Sequence, residues 1–133
     1  MKVITSMKVA VCAIASLFAI YVADQSYLIA HAGAMYQIPQ LEGDGGGGIV
    51  VAALCAIGAG LVFIRLWAAD AAFVLSALIA LMVGLSFQDN VTAWWSVVPA
   101  LLDCALVAVR YKISKRRYPI IRRPSFAQKN HTV

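Results

Sequence analysis

Residues 92–117 read TAWWSVVPALLDCALVAVRYKISKRR, and this stretch indicates the class of the protein. Residues 93–109 form an apolar run in which Asp103 is the one charged residue. Basic residues follow it immediately: Arg110, Lys112, Lys115, Arg116, Arg117, Arg122, Arg123 and Lys129. An apolar helix of this length can cross a bilayer, and Lys and Arg beyond its end favour the cytoplasmic side. The stretch therefore predicts a transmembrane helix with a defined orientation.

The composition extends this prediction to the whole chain. Of its 133 residues, 62% are hydrophobic and 13% are charged, whereas soluble domains have roughly 45–50% and about 25%. We predict an all-α membrane protein with four transmembrane helices, at about residues 5–35, 49–67, 71–87 and 92–111. These helices make one transmembrane domain over residues 1–111, and residues 112–133 form a basic cytoplasmic tail.

The charges predict which way the chain faces. If both termini are cytoplasmic, every Lys and Arg falls on that side, and the outer side holds Asp24, Glu42, Asp44 and Asp89. The net charge of +5 is then a signal of topology, and we expect no nucleic-acid partner. Short loops favour a bacterial inner membrane. The tail is expected to contact anionic lipid or an acidic partner through Lys115, Arg116, Arg117, Arg122 and Arg123.

The first helix is longer than a bilayer requires. Residues 5–35 would span roughly 45 Å as one helix, against a hydrocarbon core of about 30 Å. The helix either protrudes on the outer face, with a bend near Gly33, or breaks at residues 24–26 before a short interfacial helix. A cleaved secretory signal would leave three helices, but Tyr21 stands where a small residue is needed.

Glycine and proline suggest where the chain bends and packs. Residues 40–48 hold a glycine-rich run that we interpret as a flexible connector. Gly60 and Gly84 each end a series of small residues spaced four apart, a pattern typical of closely packed membrane helices. Pro99 lies inside the fourth predicted helix, where it predicts a kink.

Asp103 is the main candidate for a functional polar group, because a charged side chain at membrane depth is costly unless it is paired. We predict that Arg65 pairs with Asp103, since Arg110, two turns away on the same helix face, is expected to extend toward water instead. Asp70 is expected to cap the start of the third helix. The pair either fixes helix packing or forms a proton or cation site. The cysteines Cys12, Cys55 and Cys104 lie in different apolar runs and are interpreted as packing residues. We expect no metal, no cofactor and no catalytic residue.

These observations favour a structural or accessory subunit of a larger membrane complex over an enzyme. No Ser, His and Asp combination or carboxylate pair suited to catalysis is evident. Two alternatives remain open. One is an oligomeric transporter or pore that uses Asp103 as its ion site, and the other is a phage-type hole-forming protein.

Overall fold

The computed structural model describes residues 2–117, and within that range the chain forms helices joined by short turns. The helices are α1 (Lys2–Tyr36), α2 (Pro39–Ile64), α3 (Leu66–Phe87), α4 (Asn90–Trp95) and α5 (Val97–Arg117). Four segments are long and apolar enough to cross a membrane: α1, α2, α3 and Asn90–Lys115, which combines α4 with most of α5. The predicted all-α fold with four transmembrane helices is confirmed.

The four spans pack as one bundle, and the chain passes along the bundle four times. α2 packs between α1 and α3, and α5 packs against both α1 and α3. The first and last described segments therefore lie at the same end, where Lys112 Nζ is 4.0 Å from Met7 Sδ. We call this the basic end, because it holds Lys2, Lys8, Arg65, Arg110, Lys112 and Lys115. The opposite, acidic end holds Asp24, Glu42, Asp44 and Asp89.

The first helix is continuous. α1 runs from Lys2 to Tyr36 as 35 residues, or roughly 52 Å at 1.5 Å per residue. The alternative with a break at residues 24–26 is therefore wrong. Because α1 is longer than a hydrocarbon core of about 30 Å, one or both of its ends extend beyond that core.

The two turns at the acidic end have the same construction. Gln37 and Gln88 both adopt a left-handed conformation, with φ of 54° and 55°. Each closing hydrogen bond joins residues that are five positions apart: Ile38 N–H donates to Gly33 O at 2.8 Å, and Asp89 N–H donates to Gly84 O at 2.9 Å. This bonding pattern satisfies the last carbonyl groups of α1 and α3 and stops each helix.

The glycine-rich run is helical, so its interpretation as a flexible connector is wrong. α2 begins at Pro39 and includes Gly43 and residues 45–48. Each glycine costs roughly 1 kcal/mol in a helix relative to alanine, but several of them let neighbouring elements approach closely. A Cβ added at Gly45 would lie 2.5 Å from Ala30 N, and one added at Gly48 would lie 2.1 Å from Ser26 Oγ. Packing against α1 thus offsets the low helix propensity.

The turn at the basic end also differs from the prediction, which placed it at residues 68–70. Arg65 alone separates α2 from α3, with φ −144° and ψ 101°. Asp70 consequently lies in the second turn of α3 and does not cap it. The fourth predicted helix is interrupted at Ser96, three residues before Pro99. Pro99 falls in the first turn of α5, where its missing N–H is tolerated.

Candidate functional site

An ion pair at the basic end joins α3 to α5. Arg110 Nη1 donates to Asp70 Oδ2. Asp70 is buried, with 8% of its surface exposed, whereas the Arg110 side chain is 51% exposed. The predicted pairing of Arg65 with Asp103 is wrong: the ion pair formed at this end joins Arg110 to Asp70, and Arg65 is exposed at the α2–α3 junction.

Asp103 belongs to the same cluster as this pair. It lies within electrostatic range of both Asp70 and Arg110. Asp70 Oδ1 and Asp103 Oδ1 are both buried and have no hydrogen-bond partner among the described residues. Two carboxyl groups thus lie within electrostatic range of one guanidinium group, and full ionisation would leave one negative charge of this cluster unmatched in a region of low dielectric constant. A proton or a small cation would balance the cluster.

A second pair of carboxyl groups lies at the acidic end. Asp89 caps α4: its carboxylate accepts hydrogen bonds from Val91 N–H at 2.9 Å and from Thr92 Oγ1 at 2.7 Å. Burial raises the pKa of Asp89, but these bonds and the one from Thr92 N–H outweigh burial and leave the pKa below its ordinary value. Asp44 lies beside Asp89 and Thr92, and its Oδ1 is buried without a partner in the described chain.

Between these two ends, α2 and α3 are joined by buried polar contacts. Ser76 Oγ donates to Val51 O at 3.1 Å, and it lies 3.2 Å from Cys55 Sγ. Cys55 is fully buried, as expected for a packing residue, but it also takes part in a hydrogen bond. These contacts fix the register of α2 on α3 where lipid provides no hydrophobic driving force.

An open groove runs along α1 and α2 on the surface of the bundle. It has a volume of about 660 Å³, and small side chains line most of it, including Cys12, Ser16, Ala53, Ala56 and Gly60. A Cβ added at Gly60 would meet nothing within 4 Å. Gly60 was predicted to lie on a closely packed helix face, but it makes no close helix contact within the described chain.

Gly84 is a close packing contact. A Cβ added there would lie 2.4 Å from Ala93 N and 2.6 Å from Ala93 Cα, so α4 approaches α3 at this glycine.

The remaining predicted residues belong to the basic tail. Lys115 is exposed, whereas the side chains of Arg116 and Arg117, and Arg122 and Arg123 altogether, lie outside the described residues.

Sequence patterns do not identify two acids of these clusters, Asp70 and Asp44. The prediction for Asp70 is a helix cap, although residues 66–87 form one apolar run long enough to include it. The prediction for Asp44 is a place in a flexible connector. Among residues 2–117, no group of three or more His, Cys, Asp or Glu side chains is placed to hold a metal ion. In comparisons with known proteins, no protein-family model, curated protein or solved structure matches this chain.

Proposed function

We propose that this integral membrane protein is an accessory subunit that binds a transmembrane helix of a partner protein in the groove between α1 and α2. The observation that carries the proposal is the exposed series of small residues on α2, at Ala53, Ala56 and Gly60, beside Ser16 and Cys12 of α1. Small side chains let helix backbones approach closely, which is a main source of helix association in lipid.

The groove is suited to a helix in size and position. Its α1 side runs from Cys12 to Ala23, or roughly 16 Å along the helix axis, which corresponds to three turns of a partner helix. It is almost entirely apolar and contains no charged residue. A partner helix with an apolar face could therefore enter it without burying an unpaired charge.

The test fills the groove with a larger side chain. Ala56→Leu adds bulk at an exposed groove position, and Ala71→Leu makes the same change at an exposed position of α3 outside the groove. We expect the first variant to lose its partner in crosslinking and gentle purification from native membranes, and the second to retain it. Purification of the unmodified protein as a monomer without a partner would contradict the proposal.

The second candidate function is proton or cation transport by an oligomer. It is favoured by the second acid, Asp70, which accompanies Asp103 beside Arg110. Four helices provide little room for a pathway within one chain, so several copies would be needed. Flux measured in reconstituted vesicles should fall in Asp103→Asn and persist in Asp24→Asn, which changes an exposed acid of α1. Equal flux in the two variants would contradict this function.

A further inference from the structure

A second cavity opens at the basic end of the bundle. It has a volume of about 510 Å³ and lies where four helices meet. Lys8 of α1 and Arg110 and Ser114 of α5 contribute polar groups, while Ile64 of α2 and Trp67 of α3 contribute apolar surface. No Asp or Glu lines this cavity.

Both cations that line the cavity have N–H groups that can donate hydrogen bonds to a ligand. Asp70 accepts from Nη1 of Arg110, and a guanidinium group has five N–H donors in all. Half of the Arg110 side chain remains exposed, so the rest of the group can face the cavity. Lys8 adds a second positive charge from a different helix. Because Asp70 already pairs with Arg110, the positive charge of the site comes mainly from Lys8, while the remaining N–H groups of Arg110 add the hydrogen-bond donors that a phosphate group requires.

The apolar lining indicates where that phosphate comes from. Phe63, Ile64 and Trp67 are 53%, 76% and 60% exposed, and they line the same cavity as the two cations. Tryptophan is typical of the level of the lipid headgroups. A free phosphate ion would gain nothing from this surface, whereas a phospholipid would place its headgroup on the cations and its acyl chains along the apolar residues.

From this arrangement we infer that the cavity lined by Lys8, Arg110 and Ser114 is a binding site for the phosphate of an anionic phospholipid. A zwitterionic lipid carries its own positive charge, which the two cations repel, so the site prefers an anionic headgroup. The site is formed by residues 8–114 and does not depend on the tail. It would hold one lipid against α1, α2, α3 and α5 whichever function the protein has.

The test measures lipid binding to the whole protein by native mass spectrometry in a neutral detergent. Phosphatidylglycerol and phosphatidylcholine are titrated separately, and glycerol phosphate is added as a soluble competitor. Lys8→Gln removes a cation of the cavity, and Lys2→Gln is the matched control on the same helix, outside the cavity. We expect Lys8→Gln to weaken phosphatidylglycerol binding about fivefold, as loss of one nearby charge implies, with Lys2→Gln unchanged.

A further variant keeps the result independent of folding. Ser114→Leu fills the cavity from an exposed position and should also reduce phosphatidylglycerol binding, without altering the thermal unfolding of the delipidated protein. Equal binding of the two lipids, or an equal loss in Lys2→Gln and Lys8→Gln, would overturn the inference. Full competition by glycerol phosphate would also overturn it, since the site would then take soluble phosphate.

Discussion

At the acidic end, α2 lies against α1 backbone to backbone, whereas at the basic end large side chains fill the space between helices. Gly45 and Gly48 of α2 face Ser26 and Ala30 of α1 with no room for a Cβ atom. At the other end, Phe73 and Leu106 are fully buried and occupy the interior. Stability therefore depends on absent side chains in one region and on present side chains in the other, so atoms added at the acidic end and atoms removed at the basic end should each destabilise the bundle.

The largest effect is expected from Gly45→Ala. The new Cβ would lie 2.5 Å from Ala30 N and 2.6 Å from Ser26 O. These are backbone atoms of α1, so the helices must separate, which we expect to cost about 2–3 kcal/mol. The matched control is Gly46→Ala, because a Cβ there meets nothing within 4 Å. That variant should gain about 1 kcal/mol from the higher helix propensity of alanine.

Unfolding of both variants by SDS in mixed micelles, followed by circular dichroism, measures the difference. Opposite shifts of the midpoint would establish that the acidic end is a close helix contact. Shifts of the same size and sign would instead indicate that residues 43–48 behave as a connector, and the comparison between the two ends would fail.

The glycine-rich run shows what sequence patterns predict and what they do not. Apolar length predicted the four spans, because the requirement to cross a bilayer acts on each helix separately. The helical state of residues 43–48 depends on the small residues of α1 opposite them, so propensity alone gave the wrong result. Gly60 and Gly84 have the same spacing pattern, but Gly84 contacts α4 and Gly60 faces open space. Their difference also depends on what lies opposite each glycine, which the spacing does not show.

The next effect in size concerns the ion pair at the basic end. Arg110→Gln leaves Asp70 buried without its charged partner, and we expect a loss of about 1–2 kcal/mol. This value is below the roughly 3–5 kcal/mol typical of fully buried pairs, because the Arg110 side chain is 51% exposed. Arg65→Gln is the matched control. Arg65 is exposed, so its change should stay within about 0.5 kcal/mol.

Thermal unfolding of both variants in one detergent shows whether Arg110 or Arg65 is the base that stabilises the buried acids. An equal or larger loss in Arg65→Gln would support the pairing predicted from the sequence. That prediction placed the α2–α3 turn near residues 68–70, whereas the structure has it at Arg65. A helix turns once every 3.6 residues, so a boundary displaced by a few residues changes which face each acid occupies. The presence of a buried acid and a base was predictable, and their pairing was not.

The smallest effect tests the cap of α4 at the acidic end. Asp89→Ala removes the acceptor for Val91 N–H and Thr92 N–H, which should cost about 1 kcal/mol. The control is Asp24→Ala, which changes an exposed acid of α1 and should leave unfolding unchanged.

The pH dependence of this loss distinguishes a charged cap from a merely polar one. The folded pKa of Asp89 is lower than the ordinary value of 3.8. The contribution of its carboxylate is therefore fully present above that value and is lost as the pH falls through the lower, folded pKa. The difference in unfolding midpoint between the unmodified protein and Asp89→Ala should be constant from pH 7 to about pH 5 and shrink below about pH 4. A difference that persisted undiminished under acid conditions would mean that Asp89 stabilises the α3–α4 turn without its charge, and the ionised cap proposed for this end would be wrong.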